Sequence, residues 1–123
     1  MKIVIESIPS VAQRYDTWGD WWFDPDGTLQ IRVSDDVAEL PTENHQFLIA
    51  LHELVEVMAC KAHGVTQQQV DEFDFANQEH CNENDLEPGD LPDAPYRKEH
   101  RFAMLIEHLM ARELGIEGYG EVR

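Results

Sequence analysis

From Pro41 to Gly64 the chain is committed to one long helix. Phe47, Leu48, Leu51, Leu54, Val55, Met58 and Ala62 recur at spacings of three and four, which places them on one apolar stripe. Thr42 is a good N-cap residue, and Gly64 suits the position just past a helix C-terminus. A helix over residues 43–63 would be about 31 Å long at ~1.5 Å per residue. An element of that length needs a surface to pack on, and the preceding residues offer a sheet. Lys2 to Ile8 alternates and ends at Pro9-Ser10. Trp21-Trp22-Phe23 and Thr28-Leu29-Gln30-Ile31-Arg32-Val33 flank Asp24-Pro25-Asp26-Gly27, in which Pro25 presets φ and Gly27 accepts φ > 0.

The expected fold is α+β. Strands at residues 2–8, 20–24 and 28–33 form a three-stranded antiparallel sheet, followed by the helix at 43–63. Thr66 caps a short helix running to about Phe75. Residues 80–94 carry Pro88-Gly89 and Pro92 and read as a loop. Pro95, well suited to the first helical position, opens a C-terminal helix over 95–114 that Gly115 stops. Leu48, Leu51, Val55, Met58, Leu105, Ile106 and Leu109 are the expected core of the helical layer. With 123 residues, no internal repeat and no long linker, residues 1–123 read as one domain.

Charge narrows the function classes. Nine basic residues face 25 acidic ones, a formal net charge of −16, while 42% of residues are hydrophobic. The apolar content is enough for a core, and the acidity argues against nucleic acid or an anionic membrane as a partner. Residues 64–95 hold nine acids and no base. Their surface is either plain solvated exterior or a docking face for a basic protein. No run of residues is long and apolar enough for a membrane span. Cys60 and Cys81 make no disulfide framework, so a reducing cytoplasm is expected.

The chemistry concentrates in His52-Glu53-Leu54-Val55-Glu56. His52 and Glu56, four apart, stand on one helix face and can share a metal ion. Glu53 beside them is positioned to act as a base toward metal-bound water. This is the zincin pattern H-E-x-x-H with Glu in place of the second His. His45 and His63 share the stripe but lie roughly 10 and 16 Å away along the axis. A third ligand is expected from Glu99 or His100 of the C-terminal helix. His100 is the better metal type. Glu99 points toward the apolar face, where a carboxylate is costly unless ligated or ion-paired. Without a metal, His52 would be a hydrogen-bonded histidine at the core border, with Glu56 solvated or paired to Arg97 or Arg101.

Gly19-Asp20-Trp21-Trp22-Phe23, His52-Glu53-Leu54-Val55-Glu56, Asp71-Glu72-Phe73-Asp74, Glu87-Pro88-Gly89-Asp90 and Pro95-Tyr96-Arg97-Lys98-Glu99-His100 together resemble a group of small bacteriophage and prophage proteins with an H-E-x-x-E helix. The resemblance covers most of the chain and implies expression in a bacterial host cytoplasm. The order of strand, hairpin, motif helix and further helix is also similar, by analogy, to a minimal zincin-like metallopeptidase.

Two functions follow as expectations. One is a metal-dependent hydrolase with zinc as the expected divalent metal, ligands His52 and Glu56 with His100 or Glu99, and Glu53 as the base. The alternative is a non-enzymatic acidic protein that binds a basic host or phage protein through residues 64–95. An all-α nucleotide pyrophosphohydrolase with acidic Mg²⁺ motifs fits less well, because the first third of the chain is rich in strands.

Overall fold

The computed structural model describes residues 1–119. Its strands are β1 (Ile3–Ile8), β2 (Gly19–Phe23) and β3 (Leu29–Ser34). The helices are α1 (Glu43–Ala62), α2 (Gln67–Glu83) and α3 (Arg97–Glu113), with single 3₁₀ turns at Ser10–Ala12 and Pro88–Asp90. The class is α+β, as expected. The sheet is mixed rather than purely antiparallel. β3 lies in the centre, antiparallel to β2 and parallel to β1. β2 and β3 are joined by a tight turn in which Gly27 takes φ 86° and donates its N–H to the Asp24 carbonyl. The ten residues between β1 and β2 carry the chain across to the far side of β3, which places β1 parallel to it.

α1 packs on the sheet through Ile49, Ala50 and Val57, against Trp21, Leu29, Ile31 and Val33. Thr42 caps it by accepting the His45 N–H. α2 opens with a full capping box: Thr66 Oγ1 accepts from the Gln69 N–H, and Gln69 Oε1 accepts from the Thr66 N–H. It runs eight residues beyond the expected end at Phe75, because its inward face is Val70, Asp74 and Cys81. A buried aspartate on that row hides the apolar period.

α3 lies antiparallel to α1, with His63 meeting Glu99 at one end and His52 meeting Glu107 nearer the other. Here the expected core does not hold. Of the seven apolar residues named above, only Leu48 is buried. Leu51, Val55 and Ile106 are half-buried, and Met58, Leu105 and Leu109 are exposed. The inward row of α3 is instead Glu99, His100, Ala103, Glu107 and Ala111. The two helices meet across a polar seam, with alanines giving room for it, and present their apolar stripes outward.

Among the described residues, no helix is long and apolar enough to cross a membrane. The acidic stretch 64–95 is only partly a bare surface. Asp71 is bridged by Arg14 at 3.1 Å, and Asp74, Glu87 and Asp90 turn toward the protein's own side chains. With 16 net negative charges the folded chain still repels itself, and added salt screens that repulsion. The melting temperature should therefore rise from low salt to about 0.5 M sodium chloride. Thermal denaturation followed by circular dichroism checks this, and a flat or falling midpoint would contradict it.

Candidate metal centre

α1 carries His52 and Glu56 one turn apart, and the antiparallel α3 brings His100 opposite them. His52 Nε2, His100 Nδ1 and Glu56 Oε2 form a triangle with sides of 3.1, 3.2 and 2.9 Å. All three residues are buried. For bonds of about 2.1 Å to one ion, neighbouring donors sit about 3.0 Å apart in octahedral and about 3.4 Å apart in tetrahedral geometry. The observed triangle closes on a single cation with little movement.

The atoms around the triangle fix which nitrogen of each imidazole looks inward. His52 Nδ1 lies 2.7 Å from Oε1 of Glu107, a carboxylate with no exposed surface. Because a carboxylate only accepts, Nδ1 carries a proton and donates it, so Nε2 is the nitrogen that faces the triangle. The other oxygen of Glu107 accepts from the Tyr119 hydroxyl. His100 Nε2 sits 3.2 Å from Glu87 and 3.3 Å from Asp90, ion-pair contacts rather than aligned hydrogen bonds. Glu56 is held by its second oxygen, Oε1, which accepts from the Trp21 indole N–H at 3.2 Å. Each of the three residues thus turns one donor atom inward and has its other polar atom engaged by a side chain from outside the triangle. Such outer partners set the tautomer and orientation of metal-binding histidines.

Without an ion, protons must do the work of the cation. Burial disfavours charge on both Glu56 and His100, but their mutual contact wins. Hydrogen bonds from His100 and His52 hold the Glu56 carboxyl down to about 2. The carboxylates Asp90, Glu56 and Glu87 push His100 up to about 12. The ion-free site is therefore a buried imidazolium–carboxylate pair.

Glu53 lines the same small cavity of about 60 Å³. Burial, and then the charge of Glu56, raise its carboxyl well above the usual range. Glu99 does not join the triangle. It turns to the C-terminal end of α1, where its Oε2 is 2.8 Å from His63 Nδ1. The partner of Glu99 is thus a histidine, and the third donor at the triangle is His100. His45 stays at the helix start against Thr42.

Several contributors are not apparent from sequence spacing. Glu107 lies two turns from His100 on α3 and reaches His52 only because the helices are antiparallel. Glu87 and Asp90 come from a segment read as a plain loop, which instead folds into the Pro88–Asp90 turn against His100. The glycine in that turn is the signal that could have revealed it. A Cβ at Gly89 would lie 2.4 Å from His100 Cγ and 2.7 Å from Nδ1, so the backbone presses directly on the imidazole. On the far side of the cavity, Asp74 accepts hydrogen bonds from Tyr15 at 3.1 Å and Tyr96 at 2.5 Å. A larger cavity of about 310 Å³ adjoins it, sharing Tyr15, Thr17, Glu87 and Pro88. Its wall includes Asp16, Glu39 and Asp85 and no basic residue.

No protein-family model matches the chain, and no solved structure does. A curated relative, the 3-isopropylmalate dehydratase large subunit of Halorubrum lacusprofundi, is 32% identical over 98 residues, covering 77% of this chain and 20% of that protein. The chain spans about a fifth of the length of the curated relative it matches, so the likeness does not place it in a family.

Two predictions follow from this geometry. Gly89→Ala should displace the His100 ring and weaken divalent-metal binding at least about tenfold, or roughly 1.4 kcal/mol, although residue 89 offers no ligand. Titration calorimetry of both proteins measures this. The second concerns Asp74, whose carboxyl is pushed up to about 7 by burial and then by the charges of Glu56 and Asp20. Its protonated form is favoured in the fold. Its contribution to stability is full below the unfolded value of 3.8 and is lost as pH rises through about 7. Asp74→Asn should flatten that part of the stability–pH curve of the metal-free protein, as read by urea denaturation.

Proposed function

We propose that the protein is a metal-dependent hydrolase whose ion is held by His52, Glu56 and His100. The observation that carries this reading is the convergence of His52 Nε2, His100 Nδ1 and Glu56 Oε2 on one point, each residue held in place from behind. Two histidines and one glutamate are the donor set of catalytic zinc sites that keep a fourth position for water. Zinc is accordingly the proposed ion. It would polarise a bound water and a substrate oxygen. Glu53, raised in pKa beside the cluster, is the proposed general base.

The acid-lined approach bears on the substrate. A phosphoryl anion would be repelled by Asp16, Glu39 and Asp85, and among the described residues no Lys or Arg lines this cavity. A neutral or cationic carbonyl compound, such as a peptide, meets no such barrier. The proposed reaction is therefore amide hydrolysis, in keeping with the zincin-like order of elements. Phage origin and a host cytoplasm remain part of this reading through the sequence resemblance.

Metal analysis of the purified, dialysed protein tests the site. About one zinc per chain is expected, and His52→Ala should lose it. That variant also removes the imidazole that pairs with the buried Glu107 carboxylate, at a cost of about 3–5 kcal/mol. Glu56→Gln preserves shape and serves as the second variant. Metal content unchanged in Glu56→Gln would reduce the triangle to a hydrogen-bonded core network. Glu53→Gln should retain the metal and slow hydrolysis of a mixed peptide pool about 10²- to 10⁴-fold.

A further inference from the structure

A helix on the surface of a monomer normally turns charged and polar residues to solvent. α1 does not. Its outward positions between the terminal turns are Phe47, Leu51, Val55 and Met58, and its exposed charges, Glu43 and Lys61, lie at its ends. Beside it, α3 presents Phe102, Leu105 and Leu109 at spacings of three and four. Exposure is 46% for Phe47, 40% for Met58, 51% for Phe102, 56% for Leu105 and 51% for Leu109. An open hollow lined by Val55, Met58 and Phe102 joins the two stripes into one face.

We infer that this face binds a second copy of the chain, so that α1 and α3 of two protomers form an antiparallel four-helix layer. Area supports the inference. At roughly 150–200 Å² for each fully exposed large side chain, the five residues present on the order of 400 Å² of apolar surface, toward the upper end of what monomers leave open. A two-fold contact doubles this. With half-buried Leu51, Val55 and Ile106 the total comes to about 1,000 Å², the size a specific interface has to reach.

Charge identifies the occupant. A chain of net charge −16 repels its own copies over most of its surface. This face is different. One end of it carries exposed Lys98 and Arg101, with Lys61 at its edge over Phe23. The other carries exposed Glu43, Glu113 and Glu117, with Arg112 as its one base among the described residues. Because α1 and α3 are antiparallel, the like-charged residues of both helices gather at the same end. A two-fold axis through the middle of the face sets the basic end of one copy on the acidic end of the other, twice per dimer. The polar seam behind the face points away from the contact, so the metal centre stays open on the opposite side of the helical layer.

Sedimentation velocity on the full chain over a range of concentrations tests this. The expected result is a dimer, with Leu105→Glu weakening association at least tenfold while circular dichroism and metal content stay unchanged. Lys98→Glu/Arg101→Glu and Glu43→Lys/Glu113→Lys should each weaken self-association, and mixing the two variants should restore a dimer. A wild-type chain that is monomeric at about 100 µM overturns the inference. So does a dimer that Leu105→Glu leaves intact. Restored dimers in the mixture fix the antiparallel two-fold, and failure to restore them overturns that arrangement.

Discussion

The imidazole of His52 is the contact on which the interior depends. It is buried at the crossing of α1 and α3 and bridges three carboxylate or imidazole groups from two helices. Breaking it leaves Glu107 on one side and Glu56 on the other without their shared partner. Burial of a charge is offset only by pairing and hydrogen bonds. Around this group the whole seam is therefore built with every carboxylate assigned: Glu107 to His52 and Tyr119, Glu56 to Trp21 and both histidines, Glu99 to His63.

The rest of the architecture can be understood as support for that seam. β2 supplies the Trp21 indole that orients Glu56. The Pro88–Asp90 turn presses Gly89 on His100 and sets Glu87 and Asp90 behind its second nitrogen. α2 brings Asp74 to Tyr15 and Tyr96 at the cavity wall. Part of the acidic stretch 64–95 thus acts inside the molecule, holding a histidine cation or its metal-bound equivalent in place. The small residues Ala103 and Ala111 keep the helices close enough for the side chains to meet.

Burying a polar seam displaces the apolar residues. On a helical wheel the apolar stripe of α3 is taken as the inward face, and that rule holds when burial is driven by apolar surface alone. Here the inward row is Glu99, His100, Ala103, Glu107 and Ala111, and Phe102, Leu105 and Leu109 are left outside. The same effect hid the second half of α2, where Asp74 occupies a slot on the buried row. An outward apolar face and an inward polar one are two consequences of one arrangement.

The sequence by itself determined the elements and the motif. Caps at Thr42 and Thr66, breaks at Gly64 and Gly115, and alternation in the strands are local signals read over a few residues. They place α1, α3 and the hairpin within one or two positions. The pairing of His52 with Glu56 is equally local, since four residues make one turn. Tertiary structure alone decided that β1 runs parallel to β3, that His100 rather than Glu99 completes the triangle, and that Glu107, Glu87 and Asp90 stand behind it. The choices at the triangle depend on which helix faces meet. That is set by the summed pairing of buried charges across 40 to 55 residues of sequence, which no local periodicity records.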